Sequence, residues 1–133
     1  LAGQGSNTAA LATSGGTPSA TAVNESWNGT SWTEVGDVNT ARTALSGSGT
    51  STEGLVFGGG PRSSNGALTE SWNGTAWSEV GDLSAKRNHM GSSSLSATAA
   101  LAVGGDADSA PTTPAATEEF TDPIISTKTA DTD

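Results

Sequence analysis

Two aspartates in a glycine-rich segment are the best spaced residues of this chain for binding a metal ion. Asp106 and Asp108 alternate within the stretch Gly104–Ser109. Alternate aspartates in a loop can ligate Ca²⁺, whose sites take about 6–8 oxygen ligands. The full calcium-loop pattern is absent, and equivalent stretches elsewhere in the chain lack the aspartate pair. Asp106 and Asp108 are therefore weak Ca²⁺ candidates, and a solvated loop is the favoured interpretation.

Nucleophilic or acid–base catalysis needs a base beside a nucleophile and a group that orients the base. His89 is the single histidine, and the chain has no cysteine. His89 occupies a position where an earlier copy of the sequence pattern has Thr or Ala, which favours a surface role. The glycines of Gly58–Pro61 lack the Lys and Ser/Thr of a phosphate-binding loop. We predict no catalytic residue, no cofactor and no enzymatic activity.

Three glutamates, Glu25, Glu70 and Glu118, recur at one position of a repeated pattern. A carboxylate pair can serve as acid and base in glycoside hydrolysis. The recurrence has a simpler explanation, because an ion pair between neighbouring units, with Arg42 or Arg87, would repeat in the same way. We predict a structural role for these glutamates.

Charge excludes several classes of partner. The formal net charge is −9, and the basic residues are scattered: Arg42, Arg62, Lys86, Arg87 and Lys128. Binding to nucleic acid or to an anionic membrane surface needs clustered Lys and Arg, so neither partner is expected. No apolar run approaches the roughly 20 residues of a membrane span, and membrane insertion is not expected either.

The elements that must position these residues come from an internal repeat. The stretch ESWNGTSWTEVGD, from Glu25 to Asp37, returns as ESWNGTAWSEVGD from Glu70 to Asp82. Trp27 and Trp72 are thus 45 positions apart, and a period of this length is typical of repeat architectures. We divide the single domain, residues 1–133, into units 1–41, 42–86 and 87–121, with a C-terminal strand or tail at 122–133.

Each unit is predicted to contain four short strands and no helix. In the second unit these are residues 43–50, 53–58, 67–72 and 76–80. The apolar run Leu55–Phe57 stops at a glycine cluster, as buried strands do before a turn.

The third and fourth strands form the tryptophan hairpin. Asn73-Gly74 indicates a two-residue type I′ turn, which requires positive φ at both central residues. This turn would set Trp72 opposite Thr75 and Glu70 opposite Trp77, with the two indoles as diagonal neighbours.

At this level the sequence resembles kelch repeats of the galactose-oxidase type, especially the Ser/Thr/Gly-rich kind of phage and bacterial surface proteins. The matching features are Arg42, Leu55–Gly59, Glu70–Trp72 and Trp77, in that order. The resemblance reaches about Phe120, although Trp replaces the usual Tyr and the period is shorter. It implies an all-β fold of about three four-stranded antiparallel β-propeller blades. It also implies structural roles for Trp27, Trp32, Trp72, Trp77, Phe120, Glu25, Glu70, Arg42 and Arg87.

Propellers typically close with four to eight blades, so three blades need a complement. Other chains or missing sequence would complete the ring, or blades would stack in a filament. The third unit has Phe120 in place of Trp and continues into Ile124 and Ile125. These isoleucines are predicted to form the missing fourth strand, or a strand that pairs with a neighbouring chain; a polar terminal cap is the alternative.

Three Asn residues, Asn24, Asn28 and Asn73, match the glycosylation acceptor pattern. The last two would lie at turn tips, where the Asn-Gly turn already explains them.

Together these features favour a non-enzymatic structural or adhesive module of an extracellular assembly, such as a surface filament or a phage tail fibre. We expect a homo-oligomer or filament at a cell or virion surface. The alternative is a propeller that binds a glycan or a cell-surface receptor through the loops 60–66 and 106–117.

Overall fold

The computed structural model describes residues 1–60, 66–93, 96–107, 116–121 and 128–130. All regular elements in these ranges are β-strands, so the prediction of an all-β chain is confirmed. Within the same ranges no helix long and apolar enough to cross a membrane occurs.

The described residues form three four-stranded antiparallel sheets, and in the first two of them consecutive strands of the chain are neighbours. The first sheet contains β1 (Ala2–Gly5), β2 (Ala10–Gly16), β3 (Ala20–Trp27) and β4 (Trp32–Val35). The second contains β5 (Ser46–Gly49), β6 (Gly54–Phe57), β7 (Thr69–Trp72) and β8 (Trp77–Val80). The strands of the second unit thus agree with the predicted ones and are shorter at their ends.

The third sheet contains β10 (Gly91–Ser93), β11 (Ala99–Val103), β13 (Thr117–Thr121) and β14 (Lys128–Ala130). Its fourth strand is therefore Lys128–Ala130. Ile124 and Ile125, the predicted strand residues, lie outside the described residues. A separate pair joins β9 (Arg87–Asn88) to β12 (Asp106–Ala107).

Two linkers, residues 36–45 and 81–90, join the fourth strand of one unit to the next unit. Each linker meets the glycine turn of the unit that it enters. Thr43 forms an isolated bridge with Gly60, and Asn88 pairs with Asp106 at the equivalent place. The linkers therefore run between the sheets and form part of both interfaces.

Two apolar cores fill the spaces between neighbouring sheets. The first core consists of Ala2, Leu11, Val38, Leu45, Val56, Trp72 and Trp77. The second consists of Leu55, Phe57, Met90, Ala97, Ala100 and Ala102, with Val80, Leu83 and Phe120 packed against it. Strand β6 contributes to both cores because successive side chains of a strand point to opposite faces. This explains why Leu55, Val56 and Phe57 form a continuous apolar run.

The register predicted for the tryptophan hairpin was wrong. Trp72 lies directly opposite Trp77, Ser71 opposite Ser78 and Glu70 opposite Glu79. The loop therefore contains four residues, 73–76, in place of two. The Oδ1 atom of Asn73 accepts the backbone N–H groups of residues 75 and 76, each at 2.9 Å.

The same loop recurs in the first unit, where Trp27 lies opposite Trp32. A type I′ turn would need positive φ at Asn as well as at Gly. Only the glycines adopt it, with φ of 93° at Gly29 and 94° at Gly74. The Asn side chain instead bonds to its own loop, which is a common local use of this residue.

The linker conformation can be tested at Ala44, whose φ of 53° lies in the left-handed region. This region costs an L-residue about 1–2 kcal/mol, so Ala44→Gly should raise the free energy of unfolding by up to about 1 kcal/mol. Urea denaturation followed by tryptophan fluorescence measures this change. Ala41→Gly is the control, because Ala41 is not at positive φ; this change should destabilise the protein. Equal effects of the two substitutions would contradict the interpretation.

Candidate functional site

The most organised group of polar side chains is a buried ion pair that attaches the first linker to the second sheet. The guanidinium Nη2 of Arg42, in the first linker, lies 3.0 Å from Oε1 of Glu70, in β7. The Nη1 atom of Arg42 donates to the carbonyl oxygens of Gly58, at 2.9 Å, and Leu68, at 2.6 Å. The linker is thereby attached to two strands of the second sheet.

The Glu70 carboxylate also accepts hydrogen bonds from the linker backbone. Its Oε2 atom lies 2.7 Å from the backbone nitrogen of Asn39 and 3.0 Å from the Asn39 Nδ2. The Oε1 atom accepts the N–H of Thr40 at 3.3 Å. Asn39 Nδ2 also donates to the carbonyl oxygen of Trp77. Both carboxylate oxygens therefore have several donors, which buried carboxylates require.

A second copy of this arrangement attaches the second linker to the third sheet. Arg87 pairs with Glu118, and its Nη1 donates to the carbonyl oxygens of Gly104 and Ala116. The backbone N–H of Ser84 donates to Glu118 Oε2 at 2.8 Å. We use the term latch for each of these two pairs, Arg42 with Glu70 and Arg87 with Glu118.

Burial governs the electrostatics of the latches. All four side chains are almost fully removed from solvent. Desolvation lowers the pKa of Arg42 from its ordinary value, and the charge and hydrogen bond of Glu70 oppose this effect. The guanidinium nevertheless stays charged, because arginine is not deprotonated in proteins. Each latch is thus a charge pair inside the protein.

The first sheet presents the corresponding surface without a cover. We define the first-sheet face as Ala12, Glu25, Trp27 and Trp32, which are equivalent to Val56, Glu70, Trp72 and Trp77 of the second sheet. Glu25 is exposed, whereas Glu70 is buried. The side chain of Glu25 forms no hydrogen bond or ion pair with any residue that the structure describes.

The indoles of the two sheets differ in the same way. Trp32 is 48% exposed, whereas its equivalent Trp77 is 5% exposed. The internal geometry of the two pairs is nevertheless alike. Their ring centroids are 5.4 Å apart in both hairpins, with interplanar angles of 40° and 38°. The sequence pattern predicted all four tryptophans as core, and Trp32 departs from that prediction.

The candidate calcium ligand Asp106 is exposed and contacts the single histidine. Its Oδ2 atom lies 3.4 Å from Nδ1 of His89, and both side chains are largely in solvent. Asp108 lies outside the described residues. No group of three or more His, Asp or Glu side chains suited to a metal ion occurs in the described part of the chain.

The three predicted glycosylation sites fall in two different environments. Asn24 is fully buried, and its Oδ1 accepts the hydroxyl of Thr13 at 2.8 Å. A glycan could not be attached there in the folded chain. Asn28 and Asn73 are exposed at the hairpin tips, where their Oδ1 atoms close the loops.

Other predicted positions can be located only in part. Phe120 is half-buried and packs against the second core. The proposed contact loops, 60–66 and 106–117, lie largely outside the described residues, as does Arg62.

Two polar contributors to the linker contacts were not predicted from the sequence. Asn39 donates to Glu70 as described above, and the hydroxyl of Ser14 accepts the backbone N–H of Arg42 at 3.1 Å. Asn39 corresponds to Ser84 in the next unit, where only the backbone N–H bond to the carboxylate recurs. The signal in the sequence was weak because the residue type changes between the copies.

Comparison with known proteins adds no family assignment. The chain matches no protein-family model, and no curated protein is significantly similar to it. The repeated interface is therefore the main guide to function.

The latch can be tested by removing one partner at a time. Glu70→Gln leaves the Arg42 charge buried without its carboxylate, and losing one partner of a buried pair costs about 3–5 kcal/mol. We expect a loss of this size in the free energy of unfolding, measured in urea.

Glu25→Gln is the matched control at the exposed equivalent position, and it should leave the denaturation midpoint unchanged. The double variant Arg42→Met, Glu70→Met should lose less free energy of unfolding than the sum of the losses for Arg42→Met alone and Glu70→Met alone. The reason is that neither charge is left unpaired in the double variant. Equal midpoints for Glu70→Gln and Glu25→Gln would contradict the structural role of the latch.

Proposed function

We propose that this protein is a non-enzymatic structural or adhesive module of an extracellular assembly, of the surface-filament or phage tail-fibre type. Its sheets are proposed to be kelch-like blades of a β-propeller. The four-stranded antiparallel sheets, the linkers between them and the order of the sequence motifs support this proposal. The acidic, cysteine-free and Ser/Thr-rich composition suits an exposed assembly on a cell or virion surface.

A repeated interface carries the proposal. The chain forms this interface twice. Its two outer sheets, the first and the third, each also expose a face that corresponds to one side of the interface. The first-sheet face is open, and on the third sheet Val103 is exposed where its equivalent Phe57 is buried. The two open faces are different surfaces, and an interface between different surfaces is heterologous: it produces rings when it closes and filaments when it does not.

The buried charges support a structural role over a catalytic one. Among the described residues, the buried charged side chains are Arg42, Glu70, Arg87 and Glu118. All four belong to latches that attach a linker to a sheet. Catalytic groups on a propeller would have to differ from one unit to the next, whereas these residues are the same in both copies.

Assembly in solution tests the proposal. We expect native mass measurements to show a discrete oligomer or a polymer, and negative-stain images to show a ring or a fibre. Two chains of three sheets would supply six blades, within the usual range of about four to eight. A compact monomer at all accessible concentrations, with no larger particles, would contradict the proposal.

A further inference from the structure

The first-sheet face has a known complement inside the same molecule. Its equivalent on the second sheet is covered by the first linker and by one face of the first sheet. Val38 of the linker is buried in the same core as Trp72 and Trp77, and Val35 packs against this core. The same linker then supplies Asn39 and Arg42 to Glu70. The repeat thus identifies which chemical groups the open face is built to receive.

We infer that the first-sheet face binds the Arg-bearing linker of another unit of this repeat. The linker's aliphatic side chains would cover Trp27 and Trp32, and its guanidinium would pair with Glu25. The inference rests on the proposed function, because it names the chemical group that one of the two open faces needs from its partner. It concerns the chemistry of the partner and not the number of chains in the assembly.

The charge of Glu25 argues against an assembly in which an intact second copy of the chain covers the first-sheet face. Covering Glu25 removes its carboxylate from water, which is costly unless a cation and donors replace the water. Arg42 and Arg87, the arginines of the two linkers, are already engaged in latches within their own chain. An intact second copy would bring neither of them to Glu25. The partner must therefore offer an arginine that is not used in its own unit.

The exposed face already has the conformation of the covered one. The indole of Trp27 donates to the carbonyl oxygen of Asn7 at 3.0 Å, as Trp72 does to Ser51 at 3.1 Å. The hairpin loops also match: Asn28 Oδ1 accepts the backbone N–H of Ser31, as Asn73 Oδ1 accepts that of Ala76. A surface in its bound conformation avoids most of the ordering cost of association. Little rearrangement is needed for the linker to dock.

A short peptide from the chain itself provides the first test. Residues 33–45, TEVGDVNTARTAL, contain the linker and no tryptophan. Added to the full chain, this peptide should shift the emission of Trp27 and Trp32 to shorter wavelength and protect them from acrylamide. The peptide with Arg42→Gln should bind at least about 30-fold more weakly. The same loss is expected for the unmodified peptide with the Glu25→Gln chain.

Glu34→Gln is the matched control on the chain. Glu34 lies beside Glu25 across the hairpin, but its equivalent Glu79 stays exposed in the covered second sheet. This substitution should change peptide affinity by less than about threefold. Equal losses of peptide affinity for Glu25→Gln and Glu34→Gln would mean that general charge attraction holds the peptide, and this result would overturn the inference.

A tandem variant tests the same contact without the entropy cost of a free peptide. A second copy of residues 1–44 is fused before Leu1, with Trp27→Phe and Trp32→Phe in the added copy only. The linker of the added copy then precedes the original first sheet, as residues 36–44 precede Leu45. Trp27 and Trp32 of the original sheet should become as resistant to quenching as Trp72 and Trp77. Arg42→Gln in the added copy should abolish this protection.

Two results would overturn the inference. In the first, Trp27 and Trp32 stay as accessible in the fusion as in the chain alone. In the second, the unmodified chain protects these tryptophans as its concentration rises, which would make a second intact copy the occupant. Peptide binding is measured where the chain is monomeric, so failure to assemble does not affect this test. An assembly that leaves Trp27 and Trp32 exposed would support the proposed function and overturn only the inference.

Discussion

The buried pair of a linker arginine and a glutamate of the sheet that follows it is the interaction on which the rest of the structure depends. A charge inside a protein is tolerated only when its partner and hydrogen bonds are in place. Arg42 reaches two backbone carbonyls of the second sheet as well as Glu70. One linker is thus held at a defined position against the neighbouring strands. The linker in turn determines which side chains lie between the sheets.

The two interfaces share the same Arg–Glu ion pair, whereas the apolar side chains between their sheets differ. The first core contains Trp72 and Trp77, whereas the second contains Phe57 and Met90, with Phe120 packed against it. Both cores are nevertheless crossed by a linker with the same Arg–Glu geometry. Apolar contacts tolerate exchange when volume is conserved, but a buried charge pair requires specific geometry. The latch therefore defines the repeat more strictly than the aromatic residues do.

Equivalent residues of the first and second sheets have different surroundings. Glu25 and Trp32 are exposed, although Glu70 and Trp77 are buried in an otherwise matching hairpin. Their local backbone is alike, so the difference comes from the linker and the sheet face that cover Glu70 and Trp77. This contrast connects architecture to function, because an interface repeated within the chain also describes the surface offered to a partner.

Much of the architecture follows from the sequence alone. The 45-residue period determined the units, the apolar run at Leu55 located a buried strand, and the recurrence of Glu70 with Arg42 pointed to an ion pair. Local and periodic signals suffice for such features. The tertiary structure decided the rest. The Asn73 side chain accepts hydrogen bonds from its own loop and so sets the hairpin register, and the first linker and first sheet cover Glu70 but not Glu25. Burial depends on the neighbours of a residue, and nearly identical sequences therefore acquire different environments.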